Sequence, residues 1–83
     1  MLVNGRQMTV HVGEYITEPS KNLTTRVFAL SPQFPGAAYI QDWDSASSGR
    51  KPKGVHFYSA DARPATRAEI ATFEKRRRAG RFV

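Results

Sequence analysis

Four short apolar segments, separated by loops of six to ten residues, limit the kind of sheet that this chain can form. Parallel neighbours need crossover connections of about a dozen residues or more, and these loops are shorter than that. The sequence therefore predicts an α+β protein in ββββα order: a four-stranded antiparallel sheet followed by one C-terminal helix. The sheet should span about residues 6–60, in a single domain covering residues 1–83. The predicted strands are residues 7–16, 24–30, 37–43 and 54–60.

A two-residue turn is predicted near the start of the chain. Asn4-Gly5 is a strong signal for a β-hairpin, because both residues tolerate the left-handed backbone that tight hairpin turns require. Only three residues precede it, so its first arm is short. In the second arm, Met8, Val10 and Val12 alternate with polar residues, which is typical of a strand with one buried face.

After residue 60 the apolar residues no longer alternate as in a strand, and the sequence indicates a helix over about 67–79. Thr66 followed by Glu69 forms a capping box, and Gly80 can adopt the left-handed conformation that ends a helix. Ile70 and Phe73 fall on one side and should dock the helix on the sheet, with the stem of Arg77 along the sheet edge. We expect Glu74 to pair with Arg78, four residues later.

Length and composition exclude several classes of protein. With 83 residues and no cysteine, the chain offers neither disulfides nor thiol catalysis, and the sequence predicts no metal and no cofactor. Absence of disulfides in so small a chain favours a reducing, cytoplasmic setting. No segment has the ~18 apolar residues of a membrane span, so we expect no membrane partner.

Positive charge is concentrated at one end of the chain. Residues 1–49 hold three cations and four acids, whereas residues 50–83 hold ten cations and three acids. This asymmetry predicts an anionic partner, either nucleic acid or an acidic protein surface. Nine of the thirteen cations are arginines, which suits bidentate phosphate recognition but also follows from a GC-rich genome.

Two basic elements are candidate binding sites. One is the loop before the last strand, where Pro52 stiffens a run of cations. The other is the helix, whose end is basic and whose residues Arg67, Lys75 and Arg78 form a stripe that continues into Arg81, away from the docking side. A solvated helix tip is the alternative for the second element. The candidate cations are Arg50, Lys51, Lys53, Arg67, Lys75, Arg76, Arg77, Arg78 and Arg81.

One helix covers one face of a sheet, so the other face is expected to be open. If Val10, Val12, Val55 and Phe57 point toward the helix, alternation directs His11, His56 and Tyr58 to the open face. An aromatic open face could stack unpaired bases, form a homodimer or bind a protein, and loops could also cover it.

A catalytic alternative uses the two histidines. Two imidazoles on one face could act as general acid and base on a phosphodiester. Isolated histidines in strands are more often plain polar-face residues, so we expect a protein that is not an enzyme.

The segment "IQDW", followed by the basic approach "GRKPKGVHF" to the last strand, resembles the single-strand-binding proteins of the positive-cofactor type. The resemblance covers about residues 37–75 and lies in strand order and in the glycine and cations before the last strand. It implies a sheet-based binder of single-stranded nucleic acid.

The favoured interpretation is a small non-enzymatic nucleic-acid-binding module. The alternative is an accessory protein of phage or plasmid type that binds and inhibits a host complex handling nucleic acid. In that case the cations would dock on an acidic groove of the partner.

Overall fold

The computed structural model of the chain describes residues 2–3, 6–7, 10–34 and 36–81. The predicted class is confirmed: an antiparallel sheet carries a C-terminal helix. The sheet has five strands rather than four, and the chain also forms a short hairpin and a short extra helix. The strands are β1 Leu2–Val3, β2 Arg6–Gln7, β3 Tyr15–Glu18, β4 Leu23–Leu30, β5 Ala37–Ile40, β6 His56–Phe57 and β7 Arg63–Pro64. The α-helices are α1 Trp43–Ser48 and α2 Arg67–Arg78, and a 3₁₀ turn spans Pro19–Lys21.

The order of strands in the main sheet is β6-β5-β4-β3-β7, and all neighbours are antiparallel. Strands β3 to β6 follow one another in sequence, and β7 returns to pair with β3 at the other edge. Strands β1 and β2 form a separate hairpin, as Asn4-Gly5 predicts, although those two turn residues lie outside the described ones. No helix in the described parts of the chain is long and apolar enough to cross a bilayer.

The first long strand lies later in the chain than predicted. Residues 10–14 form a turn, because Gly13 has a φ of 90° and the Glu14 amide donates to the His11 carbonyl at 3.0 Å. Strand β3 therefore begins at Tyr15 and includes residues 17–18, which the sequence assigned to a loop. Met8, part of the predicted alternation, lies outside the described residues.

Helix α1 occupies part of a segment predicted to be a loop. Asp42 and Ser45 form a reciprocal capping box, in which the Ser45 amide donates to the Asp42 carboxylate at 2.8 Å. Gly49 ends the helix with a φ of 75°. Both signals are present in the sequence, but they enclose only six residues, a length at which an isolated helix is not stable in water.

The sheet curls strongly toward one face. In a flat sheet β6 and β3 would lie roughly 14 Å apart, three strand spacings. The His56 Nε2 nevertheless hydrogen-bonds a carboxylate oxygen of Glu18, and Lys21 Nζ donates to the Phe57 carbonyl at 3.0 Å. A β-bulge in β4, between Val27 and Ala29, adds to the local twist. The face that carries His56 and Glu18 is therefore concave.

The main apolar core lies inside this curl. Residues 58–62 connect β6 to β7 and bring Tyr58 and Ala62 onto the concave face, while Val10 arrives from the N-terminal segment. Loops therefore cover the face opposite the helix, and the expectation of an open face is wrong there. The buried core residues are Val10, Ile16, Val27, Ala38 and Tyr58.

Helix α2 lies on the opposite, convex face. It begins at the predicted Thr66–Glu69 capping box, and Gly80 follows it with a φ of 78°. Phe73, the one buried residue of the helix, meets Tyr15 of β3 edge-on, with ring centroids 5.5 Å apart. Tyr15 and the core residue Ile16 are adjacent in β3, so they point to opposite faces. Phe73 thus docks the helix on the sheet as predicted, whereas Ile70, the other predicted docking residue, is only half-buried.

Candidate functional site

A buried carboxylate organises the polar side of the concave face. Glu18 is only 1% exposed and accepts hydrogen bonds from His56 Nε2, from the Ser59 amide at 2.8 Å and from Lys21 Nζ at 3.0 Å. Burial alone would raise the pKa of Glu18, but these hydrogen bonds, led by that from His56, outweigh it and hold the pKa below its ordinary value. The cluster ties β3 to β6 and to the segment that follows.

This cluster corrects the prediction for the histidines and Tyr58. His56 and Tyr58 do point away from the helix, but they lie inside the curl, with their rings in an edge-on contact at 5.3 Å. Burial raises the pKa of the Tyr58 hydroxyl. His11 is exposed in the turn before β3. His56 is thus engaged inside the curl, whereas His11 is on the surface. The two imidazoles do not lie together on an open face, as the catalytic alternative requires.

The cations of α2 divide into two groups. Arg77 is half-buried and its Nε donates to Glu74 at 2.8 Å, so Glu74 pairs with Arg77 and not with Arg78 as predicted. Arg76 is exposed, but it lies off the predicted stripe and borders a cavity of about 400 Å³ between the helix and the β3–β4 hairpin. The side chains of the predicted stripe are exposed: Arg67, Lys75, Arg78 and, beyond the helix, Arg81.

The basic loop of residues 50–53 is anchored to the sheet at two points. Pro52 is buried, and Lys51 Nζ lies over the Tyr39 ring, 4.3 Å from its centroid. A cation at this distance from an aromatic face is attracted by the ring's quadrupole. Arg50, Lys51 and Lys53 all remain exposed. The anchors hold the three cations at lower entropic cost than a mobile loop would.

Next to this loop is a cavity of about 570 Å³. Its apolar wall includes Ile40 and Val55, and its charged rim consists of the three cations of the loop. Asp42, the carboxylate among its lining residues, is engaged as the cap of α1. The rim is therefore strongly positive, which favours an anionic ligand.

Two exposed phenylalanines lie on the convex face near the same loop. Phe57 is 55% exposed, Phe34 is 46% exposed, and their rings meet edge-on with centroids 5.9 Å apart. Phe57 pairs with Ala37 in the register of β5 and β6, so it shares a face with Tyr39, two residues further along β5. We call Phe34, Phe57, Tyr39 and Lys51 the aromatic–cationic patch.

Sequence reasoning missed the two phenylalanines. The alternation of "GVHFYS" assigned Phe57 to the helix-facing side, which is correct, but α2 covers β3 and β4 and leaves Phe57 exposed at the edge strand. Phe34 belongs to a proline-rich turn, a context that did not mark it as a ligand-binding residue. The unusual aromatic content of so short a chain was the available signal.

The strand register relates the two basic elements. Tyr15 and Arg26 form a pair on the convex face beneath α2, and the pairing of Val27 with Ile40 continues that alternation to Tyr39. Helix α2 and the Tyr39 ring that Lys51 contacts therefore lie on the same, convex face of the sheet. The helix lies over β3 and β4, and the loop lies beside β5 and β6.

Comparison of the chain with protein-family models, curated proteins and solved structures gives no match. The resemblance to single-strand-binding proteins of the positive-cofactor type thus receives no support from them. Within the described residues, no group of three or more His, Cys, Asp or Glu side chains could hold a metal ion.

Proposed function

We propose that this protein is a small non-enzymatic module that binds nucleic acid, with the loop of residues 50–53 as its principal phosphate-binding element. The observation that carries the proposal is the anchored loop itself. Burial of Pro52 and the contact of Lys51 with Tyr39 hold exposed cations in place at the rim of a cavity. Cations that are already ordered lose less conformational entropy when they bind phosphates.

The overall charge supports the same ligand class. The chain carries a net charge of +6, and helix α2, which carries the exposed stripe, lies on the same face of the sheet as the Tyr39 ring that Lys51 contacts. In this proposal the helix raises the local positive potential and speeds association, while the loop makes the close contacts. Arg77, which is already paired with Glu74, contributes less than its neighbours.

The test is fluorescence anisotropy of labelled single-stranded and duplex DNA and RNA, titrated with the protein at about 50 and about 200 mM salt. Binding should weaken steeply with salt, because each phosphate contact releases counterions, with a slope of ~0.7 per contact for single strands and ~0.9 for duplexes. The triple variant Arg50→Ala, Lys51→Ala, Lys53→Ala should bind less tightly and with a smaller salt slope.

The matched control is the triple variant Lys75→Ala, Arg78→Ala, Arg81→Ala. It also removes three positive charges, here from exposed residues at and just beyond the end of α2. Both variants have the same net charge, so a larger loss in the loop variant identifies a local site. Equal losses would mean that only overall charge matters. If the wild-type protein binds none of these nucleic acids at low salt, the proposal fails and an acidic protein surface becomes the partner to pursue.

A further inference from the structure

We propose that the aromatic–cationic patch selects single-stranded nucleic acid by stacking unpaired bases on Phe34 and Phe57. This inference deepens the proposed function and rests on it. Two phenylalanine side chains remain about half exposed near the edge of the sheet, at 55% and 46%, although each would gain free energy from being covered. The patch is therefore ready to receive a flat apolar surface.

The positive charge next to the patch indicates which class of ligand carries such a surface. Lys51 lies over Tyr39, which is a diagonal neighbour of Phe57 on the same face, and diagonal neighbours in antiparallel strands lie roughly 7–8 Å apart. A ligand that covers the phenylalanines thus meets a cation within one or two side-chain lengths. Single-stranded nucleic acid offers that combination, because each apolar base is attached to an anionic phosphate.

Three of the acidic side chains that the structure describes near this part of the fold are engaged elsewhere. Glu18 is buried inside the curl, Asp42 caps α1, and Asp61 accepts hydrogen bonds from Ser20 and Ser59. These three carboxylates therefore do not neutralise the positive charge beside the patch. A second copy of this chain would bring a like-charged loop to the same surface, so charge disfavours self-association there.

Duplex nucleic acid does not fit the phenylalanines. Its bases are stacked on each other and paired, so an aromatic side chain can stack only on a base that is unpaired or at an end. Phenylalanine has no polar group with which to bind a phosphate or a base edge. The loop cations can contact either form, but the rings contribute only with single strands.

The experiment compares Phe57→Ala, Phe57→Leu and Phe57→Trp in the full chain, with a labelled single strand, its duplex and an abasic strand of the same length. For the single strand, Phe57→Ala and Phe57→Leu should each weaken binding at least about fivefold, the factor that corresponds to ~1 kcal/mol per stacked base. Phe57→Trp should keep or strengthen binding. Affinity for the duplex and for the abasic strand should change little, and the salt slope should be unchanged.

Each contrary result would overturn the inference and would point to a different explanation. If Phe57→Leu binds the single strand as tightly as the wild type, apolar area alone suffices, as in a protein-docking surface. Equal losses on the abasic strand would mean that the ring does not contact a base. If the variant of Arg50, Lys51 and Lys53 loses binding while the Phe57 variants do not, the proposed function stands and base stacking is wrong. If the wild type binds no nucleic acid, both fail.

A folding control accompanies these variants. Phe57 is half exposed, so its replacement should leave the urea midpoint nearly unchanged. Phe34→Ala removes the second ring of the pair by an independent change and should reproduce the selective loss on single strands. If only one of the two alanine variants weakens binding of the single strand, base stacking is restricted to the ring that this variant removes.

Discussion

Glu18 and His56 lie three strands apart in the sheet, yet they share a hydrogen bond across the concave face. The contact exists because the sheet curls, and it helps to hold that curl. Glu18 also receives the Ser59 amide and Lys21, so one carboxylate connects β3, β6 and the segment that leads to β7.

Replacing Glu18 should destabilise the protein. Glu18→Gln removes the negative charge that faces Lys21 and His56 and leaves one donor without a good acceptor. Hydrogen bonds to charged groups contribute ~1.5–3 kcal/mol, so we expect a loss of about 2 kcal/mol in the free energy of unfolding. Urea denaturation followed by circular dichroism measures it.

The two histidines supply the matched comparison for this cluster. His56→Gln should also destabilise the fold, whereas His11→Gln, at an exposed turn position, should change the free energy of unfolding by less than about 0.5 kcal/mol. Similar effects for both substitutions would show that the Glu18–His56 hydrogen bond is not what stabilises the curl.

Stability should fall in acid because several carboxyl groups, including those of Glu18 and Glu69, have lowered pKa values in the folded state. The hydrogen bonds from Arg63, and then from the Thr66 amide, lower the pKa of Glu69 to about 2, and the pKa of Glu18 also lies below its ordinary value. A group whose folded-state pKa is depressed contributes stability above its unfolded pKa, and that contribution disappears as pH falls through the folded value. The urea midpoint should therefore decrease from about pH 4.5 downward, toward about pH 2 for the part due to Glu69.

Variants of these two residues check the origin of the acid dependence. Glu18→Gln and Glu69→Gln should each flatten part of the decline, because the amide does not titrate. A decline as steep as in the wild type for both variants would contradict this account.

Phe73 and Phe57 should differ sharply in their contribution to stability. Phe73 is the buried residue by which α2 packs on Tyr15, and truncation of a buried phenylalanine costs ~3–5 kcal/mol. Phe73→Ala should thus cost about 3 kcal/mol, while Phe57→Ala should be nearly neutral. Thermal or urea unfolding of both variants provides the comparison, and a large cost for Phe57→Ala would mean that its ring supports the fold.

The start of α2 offers a further prediction. The Thr66 hydroxyl accepts a hydrogen bond from the Glu69 amide at 3.2 Å, and its loss in Thr66→Ala should cost about 1 kcal/mol. Thr72→Ala is the control inside the same helix, where alanine has the higher helix propensity and should be neutral or slightly stabilising. Equal destabilisation by both changes would exclude capping as the cause.

Local sequence signals identified the elements whose stabilising contacts lie close together in the chain. The capping box of Thr66 and Glu69, Gly80 after the helix and the hairpin of β1 and β2 are of this kind. The assignment failed where tertiary contacts decide. Residues 10–14 alternate like a strand, but Gly13 turns the chain there and its amide donates to the Val27 carbonyl.

The candidate site divides in the same way. The cations of residues 50–53 and of the end of α2 are evident from charge alone, because lysine and arginine side chains mostly stay at the surface of so small a fold. That Lys51 rests on Tyr39, and that Phe34 meets Phe57, depends on residues distant in sequence and on the register of β5 and β6.

By itself, the sequence determined that this chain forms an antiparallel sheet with a capped, basic C-terminal helix, since loop length, periodicity and capping act over a few residues. Only the tertiary structure decided which face is covered. Curling of the sheet enclosed His56 and Tyr58 and left Phe57 exposed, because the direction of a curl is set by how all the strands pack together and not by the alternation within any one of them.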